Sequence, residues 1–424
     1  MAVGEVHEAS ASRWTRLRGV LGPRTLLWVM FLAVHAGLIV LNFRAPGWPI
    51  GDVVAVYRVW AENAAAGVAR MGIDVPWVYP ILAFVPMAAS LMFGSDWYGA
   101  TWMAIVVLLD AVAFSILLGT RRLSRTRRIA AWWWVYFLAL LGPIALSRID
   151  AVTVPLALTG MLWAAGRPRV AAVLLTIGAW VKVWPAAVLA ALVVASRRRW
   201  EIVTVAAALS LGIVGVSLIA GSGMNVVGFV TEQAGRGLQV EAPLATVWLW
   251  QIVAGVPGVE VVYDREILTY QVDGPGADAA ASLTTPLMAV GVVAVLLLGI
   301  RAARREAAFG RMFPPLALSF VVVLMLANKV GSPQFATWLA APIMLGLVLR
   351  PSRFAVPAVL AAAVALLTQV IYPYWYGGLL QAQPAFVLVL SAKVLLLVAL
   401  LAWGIRALWQ AGRAPDRTAA RPPT

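Results

Sequence analysis

One arrangement recurs along the whole chain. Apolar blocks of roughly 15 to 24 residues alternate with short polar stretches in which arginines cluster. Blocks of that length span a hydrocarbon core of about 30 Å. Arginine clusters between such blocks are the pattern of cytoplasmic loops in a membrane protein. Composition agrees: hydrophobic residues make up 62% of the chain and charged residues 12%, against about 25% charged in soluble domains. A soluble fold of 424 residues has too little interior for that much apolar surface, so lipid must cover the rest.

Several function classes fall away at once. The net charge of +15 could point to nucleic acid, but the arginines lie in loops between apolar blocks, so no nucleic-acid partner is expected. With no cysteine there is no disulfide, thiolate nucleophile or thiolate metal site. The two histidines, His7 and His35, make a histidine metal centre unexpected. Arg13, Arg16, Arg18 and Arg24 precede an apolar run over Thr25–Asn42. That run is long for a signal-peptide core and no small-residue cleavage site follows it, so it reads as a first transmembrane helix with a cytoplasmic start.

The basic loops 121–128, 167–169, 197–199, 301–311 and 350–353, placed on the cytoplasmic side, predict an all-α polytopic membrane protein of about twelve spans. The expected spans are 25–42, 97–119, 129–147, 151–165, 170–181, 183–196, 201–220, 283–300, 312–328, 335–349, 355–371 and 385–404. Cytoplasmic tails over 1–24 and 405–424 flank one transmembrane domain over 25–404, with long outer loops at about 43–96 and 221–282. The stretch 77–94 cannot be a full span without moving Arg121–Arg128 outside, so it should lie on the outer surface. The stretch 170–196 has arginines at both ends and must go up and come back, with its turn at membrane depth or near the outer face. Alternation over 259–272, around Asp264-Arg265, predicts a small β-hairpin.

About twelve of the 18 acidic residues fall outside on this topology. The three lysines avoid the cytoplasmic loops altogether. A charge at membrane depth costs about 2.5–3.5 kcal/mol and needs a partner or a purpose. Lys393, inside the last span, reads as snorkelling or as paired, for instance with Asp110. Lys182, at the turn of the short helical pair, is suited to a lipid phosphate. Lys329 lies at the outer end of a span. Asp52, from composition alone, reads as the N-cap of a surface helix. Arg148 and Asp150 read as a surface ion pair, and Arg236 as a solvated loop charge. Trp132–Trp134 read as an interfacial belt. Trp48, Trp77 and Tyr79 could join it or could stack on a sugar ring.

Four patches, spread over most of the chain, resemble the glycosyltransferase family 87 enzymes, which are polyprenyl-phosphate-mannose-dependent mannosyltransferases. The first is Gly51-Asp52 through Tyr57, followed by Val78-Tyr79-Pro80, with Ile81 where the family has a second proline. The second is Gly178–Pro185, with a Lys-x-x-Pro pattern on Lys182. The third is Arg236–Glu241, and the fourth Asn328–Trp338, where Phe335 stands for the tyrosine of Ser-Pro-Gln-Tyr. Ser147–Asp150 departs from the family's Gly-Gln-x-Asn, which implies a different acceptor or donor contact. Within the family the chain is most similar to the phosphatidylinositol-mannoside (PimE-like) mannosyltransferases.

The resemblance implies a GT-C fold with an active site on the extracytoplasmic face of the plasma membrane. It implies inverting transfer of mannose to a glycolipid such as a phosphatidylinositol mannoside, with Asp52 as general base. Arg236, Lys182, Lys329 and Arg148 are then the cations for the donor phosphate. Tyr57, Trp77, Tyr79, Asp150, Gln239, Glu241 and Gln334 are the expected substrate contacts. No metal or other cofactor is expected beyond the lipid-linked donor, and the chain is expected to act as a monomer among membrane lipids. A transferase using another sugar such as arabinose, or a lipid or solute transporter, are the alternatives. The long outer loops and the lack of visible repeat symmetry speak against transport.

Overall fold

The structure is a computed structural model that describes residues 22–413. The expected tails, with His7, Arg13, Arg16 and Arg18, lie outside those residues except for Gly22–Arg24 and 405–413.

Helix α1 (Pro23–Arg44) leads to a π-helical turn at Asp52–Tyr57, which runs into α2 (Arg58–Ala65) and the short α3 (Phe84–Ala89). Then follow α4 (Tyr98–Leu118), α5 (Arg125–Leu141), α6 (Asp150–Trp163), α7 (Pro168–Val181), α8 (Pro185–Ala195) and α9 (Arg199–Ile219). The second long loop holds α10 (Gly228–Ala234), α11 (Thr246–Val253), β1 (Glu260–Asp264) and β2 (Thr269–Asp273). The chain ends with α12 (Ala277–Arg304), α13 (Phe309–Leu326), α14 (Ala340–Leu349), α15 (Pro351–Gln369), α16 (Tyr376–Leu380) and α17 (Pro384–Ala411).

Among the described residues, seven helices are long and apolar enough to cross a membrane: Pro23–Arg44, Ser95–Leu118, Arg199–Ile219, Ala277–Arg304, Phe309–Leu326, Pro351–Tyr374 and Pro384–Ala411. Five apolar helices are shorter, among them α6, α7 and α8. At 1.5 Å per residue, the 14 residues of α7 rise roughly 21 Å. That is less than the thickness of the hydrocarbon core. The molecule is thus a mostly helical multi-pass membrane protein with one small sheet. The segment 77–94 forms a 3-10 turn and the six-residue α3, and no spanning helix.

Local sequence explains the breaks. Pro168, Pro185, Pro351 and Pro384 each open a helix at the first position, where the missing N–H costs nothing. Gly119 and Gly142, at φ 68° and 76°, close α4 and α5 in a conformation that favours glycine. Between α7 and α8 the backbone of Lys182 is extended and Pro185 restarts the helix, so the turn is a sharp corner.

Most buried side chains form one core that runs the length of the bundle. A smaller core joins 238–281 to 371–390: the second outer loop packs over α16 and the start of α17. The hairpin pairs antiparallel with Val262 opposite Gln271, as the alternation predicts. Lys393 is paired, one of its two expected states, but not with Asp110. Its Nζ lies 2.8 Å from Glu241 Oε2, and Asp110 pairs instead with His35 Nε2 at 3.2 Å. Lys393 and Asp110 lie on different helices, and each takes the polar group its own packing brings near. The tryptophan run is also no simple belt: Trp134 is buried in the core and Trp133 donates to the Ala358 carbonyl.

Candidate active site

Asp52 opens the π-helical turn directly after Gly51. Gly51 takes the N-cap position and Asp52 is the first helical residue, so Asp52 is not the N-cap that composition suggests. The carboxylate is about half exposed, and its Oδ2 lies 2.9 Å from Arg148 Nε.

Arg148 is not a surface residue. It is 7% exposed, in a loop whose residues 141–151 are all buried. Such a loop survives only if its polar backbone finds partners. Asn42 Nδ2 donates to the Pro143 carbonyl, Trp102 Nε1 donates to that of Leu146, and the Ile149 N–H donates to the Tyr57 hydroxyl. The guanidinium is engaged on all sides. Nη1 donates to the Pro49 and Ser147 carbonyls, both at 2.7 Å, and Nη2 donates to the Tyr372 hydroxyl at 3.1 Å. Burial works against the charge, but Asp52, Tyr372 and Tyr57 outweigh it and hold Arg148 above the ordinary arginine value.

Asp150 is likewise no surface partner of Arg148. It is fully buried, its Oδ1 accepts from Trp338 Nε1 at 2.6 Å, and its Oδ2 has no hydrogen-bond partner. Trp338 stacks on Trp184 with ring centroids 5.8 Å apart, and Trp184 Nε1 donates to Thr153 Oγ1. The patch Gly178–Pro185 and the patch Asn328–Trp338 therefore meet at the stacked rings of Trp184 and Trp338, and Trp338 alone reaches the buried carboxylate.

Aromatic packing carries the site outward from Asp52. Tyr57 is buried and its side chain hydrogen-bonds with Tyr79; burial first, then Tyr79 and Asp52, raise its hydroxyl pKa. Trp77 is 3% exposed, with its ring edge-on to those of Trp60 and Tyr79, so it supports the wall and is not an open stacking platform. Lys182 Nζ sits over the Tyr79 ring, 4.5 Å from its centroid. Arg236 is half-buried and close enough to Tyr79 to interact with it, with no hydrogen-bond partner at Nε. Burial lowers its pKa, while Tyr79, Glu232 and Asp264 oppose the shift. Lys329 lies next in the series: burial and then the charge of Arg236 lower its ammonium pKa.

The loop bearing Arg236 is tied to the loop bearing Lys329 by the Gln239 N–H, which donates to the Lys329 carbonyl at 2.9 Å. A Cβ at Gly331 would collide with the backbone of Glu241 and Ala242, so glycine is what lets these two loops touch. Gln239 and Glu241 are both buried, and Glu241 is held by Lys393. Gln334, in the 3-10 turn Pro333–Leu339, is half-buried.

The fold thus links Asp52, Arg148, Tyr57, Tyr79 and Lys182 through consecutive interactions, with Arg236 in electrostatic reach of Tyr79 and Lys329 in reach of Arg236. Asp150, Glu241 and Trp77 are set in the surrounding wall. Sequence reasoning missed Tyr372, whose signal was available: the aromatic run Tyr372–Tyr376 follows directly on the predicted span 355–371. Among the described residues, no group of three His, Asp or Glu side chains is placed to hold a metal ion.

A half-exposed carboxylate held by a buried arginine, with further cations along the same aromatic wall, suits transfer of a group from a phosphate. A model of glycosyltransferase family 87 matches residues 77–259. The match, over less than half of the chain, supports a glycosyltransferase. It covers Trp77, Tyr79, Arg148, Asp150, Lys182, Arg236, Gln239 and Glu241; Asp52, Lys329 and Gln334 lie outside it. Neither the curated proteins nor the solved structures contain a significant match to this chain.

Proposed function

We propose that the protein transfers mannose, with inversion, from polyprenyl-phosphate-mannose to a glycolipid acceptor such as a phosphatidylinositol mannoside, on the outer face of the membrane. The observation that carries this reading is the half-exposed Asp52 carboxylate, anchored through Oδ2 by the buried Arg148, with Lys182 over the ring of Tyr79, which hydrogen-bonds Tyr57 in the same wall.

The acceptor hydroxyl oxygen attacks the anomeric carbon as the bond from that carbon to the phosphate oxygen breaks. Asp52 takes the hydroxyl proton, the role of a general base within hydrogen-bond reach. The leaving polyprenyl phosphate takes the electron pair, and a β-linked mannosyl phosphate becomes an α-mannoside. The leaving group is already a good one, so it needs positive charge and no general acid. Lys182, Arg236 and Lys329 supply that charge from three separate elements. Arg148, with both Nη1 hydrogens committed to carbonyls, acts through Asp52 as a positioning residue.

Asp52→Asn tests the reading. The change is isosteric and removes only the basic oxygen. Purified variant with a polyprenyl-phosphate-mannose donor and a glycolipid acceptor is expected to lose about 10²–10⁴-fold in turnover while inserting and folding normally. Near wild-type turnover would sink the assignment of Asp52 as base.

A further inference from the structure

One cavity lies away from Asp52. It lies at the opposite end of the same helices and has a volume of about 330 Å³. Helix α13 connects the two ends: Gly310 and Arg311, at its start, line the cavity, and Lys329 follows its end. Its 18 residues rise roughly 27 Å, close to the thickness of a hydrocarbon core.

Four arginines line the cavity: Arg311, Arg350, Arg353 and Arg406. They come from three places, the start of α13, the α14–α15 corner and the last turns of α17. Arg311 and Arg350 already interact within the protein, so the forks offered to a ligand are those of Arg353 and Arg406. An ordinary basic loop spreads its charges into solvent, whereas these surround a concavity. Its inner side carries Phe354 and Trp403, packed edge to face with centroids 4.9 Å apart.

We infer that this cavity binds the phosphate group of an anionic phospholipid from the leaflet opposite Asp52. The chemistry follows from the lining, because arginine forks match phosphate oxygens. The lipid source follows from the walls. Ser352 lines the cavity, and Val356 and Val359 lie four and seven residues further along α15, on one helix face. Both valines are exposed. An acyl chain from a headgroup at Ser352 and Arg353 would lie along that stripe. On the neighbouring α12 and α17, Arg301 stacks over Trp409 at 3.9 Å, an anchor for the membrane interface beside the cavity. A lipid held there would clamp α13, α15 and α17, whose far ends carry or adjoin Lys329, Tyr372 and Lys393.

The test uses the full-length protein in nanodiscs of phosphatidylcholine containing a minor share of phosphatidylglycerol. Native mass spectrometry of the released protein should show phosphatidylglycerol retained in preference to phosphatidylcholine. Arg353→Gln with Arg406→Gln should reduce that retention at least about tenfold, the cost of a charge-assisted contact or more. Ala407→Glu, which places a like charge in the wall, should reduce it as well and serves if the double variant does not insert. Equal retention of the two lipids, or unchanged retention in both variants, overturns the inference. So does protection by inorganic phosphate that matches phosphatidylglycerol in a thermal-shift series, because the ligand is then free phosphate and not lipid.

Discussion

Arg148 is the residue on which the placement of Asp52 depends. Its guanidinium spans Pro49, Ser147 and Tyr372 and meets Asp52 with the one nitrogen that remains. A lysine carries the charge without the fork. Arg148→Lys is therefore expected to lower kcat by about tenfold or more while donor KM changes little, since the loss is in aligning the base. A rise confined to donor KM would instead make Arg148 a phosphate ligand. Lys329 gives a second prediction, in pH. Burial and Arg236 lower its pKa, so the free enzyme loses this cation at a lower pH than an ordinary lysine would. Donor kcat/KM, which reports the free enzyme, should fall as pH rises through that depressed value. Lys329→Arg should shift the alkaline limb upward, and an unmoved limb would separate Lys329 from the donor phosphate.

At the scale of elements, the site depends on loops that helices hold in place. Glu241 sits in the second outer loop and Lys393 inside α17, both buried, and their 2.8 Å contact pins the loop to the bundle. Removing one partner leaves a buried charge uncompensated. Lys393→Met alone should cost about 3–5 kcal/mol, read as a drop in Tm. Glu241→Leu combined with Lys393→Met should recover most of it, because neither charge is then stranded. If single and double variants are equally destabilised, the pair is not what holds the loop. The partner of Lys393 was illegible from sequence. Asp110 and Glu241 are both acidic and both distant in the chain, and only packing decides which one faces the ammonium. The hairpin, by contrast, was legible, because alternation and a polar turn are local.

At the scale of the whole molecule, the corner at Lys182 decides how the chain is threaded. The protein has no cysteine, so single introduced thiols report cleanly. Gly166→Cys and Ser196→Cys should react with impermeant reagents from one side of the membrane, and Val183→Cys, about half exposed at the corner, should not share their side. Labelling of the first two from opposite sides would make 170–196 a single span and remove Lys182 from the site.

By itself the sequence determined the membrane environment, the long helices, the short helical pair and the hairpin. Each of these follows from length, periodicity and the placement of proline, glycine and arginine along a few tens of residues. It also marked Asp52, Lys182, Arg236 and Lys329 as candidate site residues, by motif and by the cost of a charge at membrane depth. Only the tertiary structure decided what those residues face. Arg148 turns inward to hold Asp52, Asp150 goes under the site to Trp338, and Trp77 becomes wall. A buried polar group must find a partner whatever its distance along the chain, and that partner is chosen by how the helices pack, which no local pattern records.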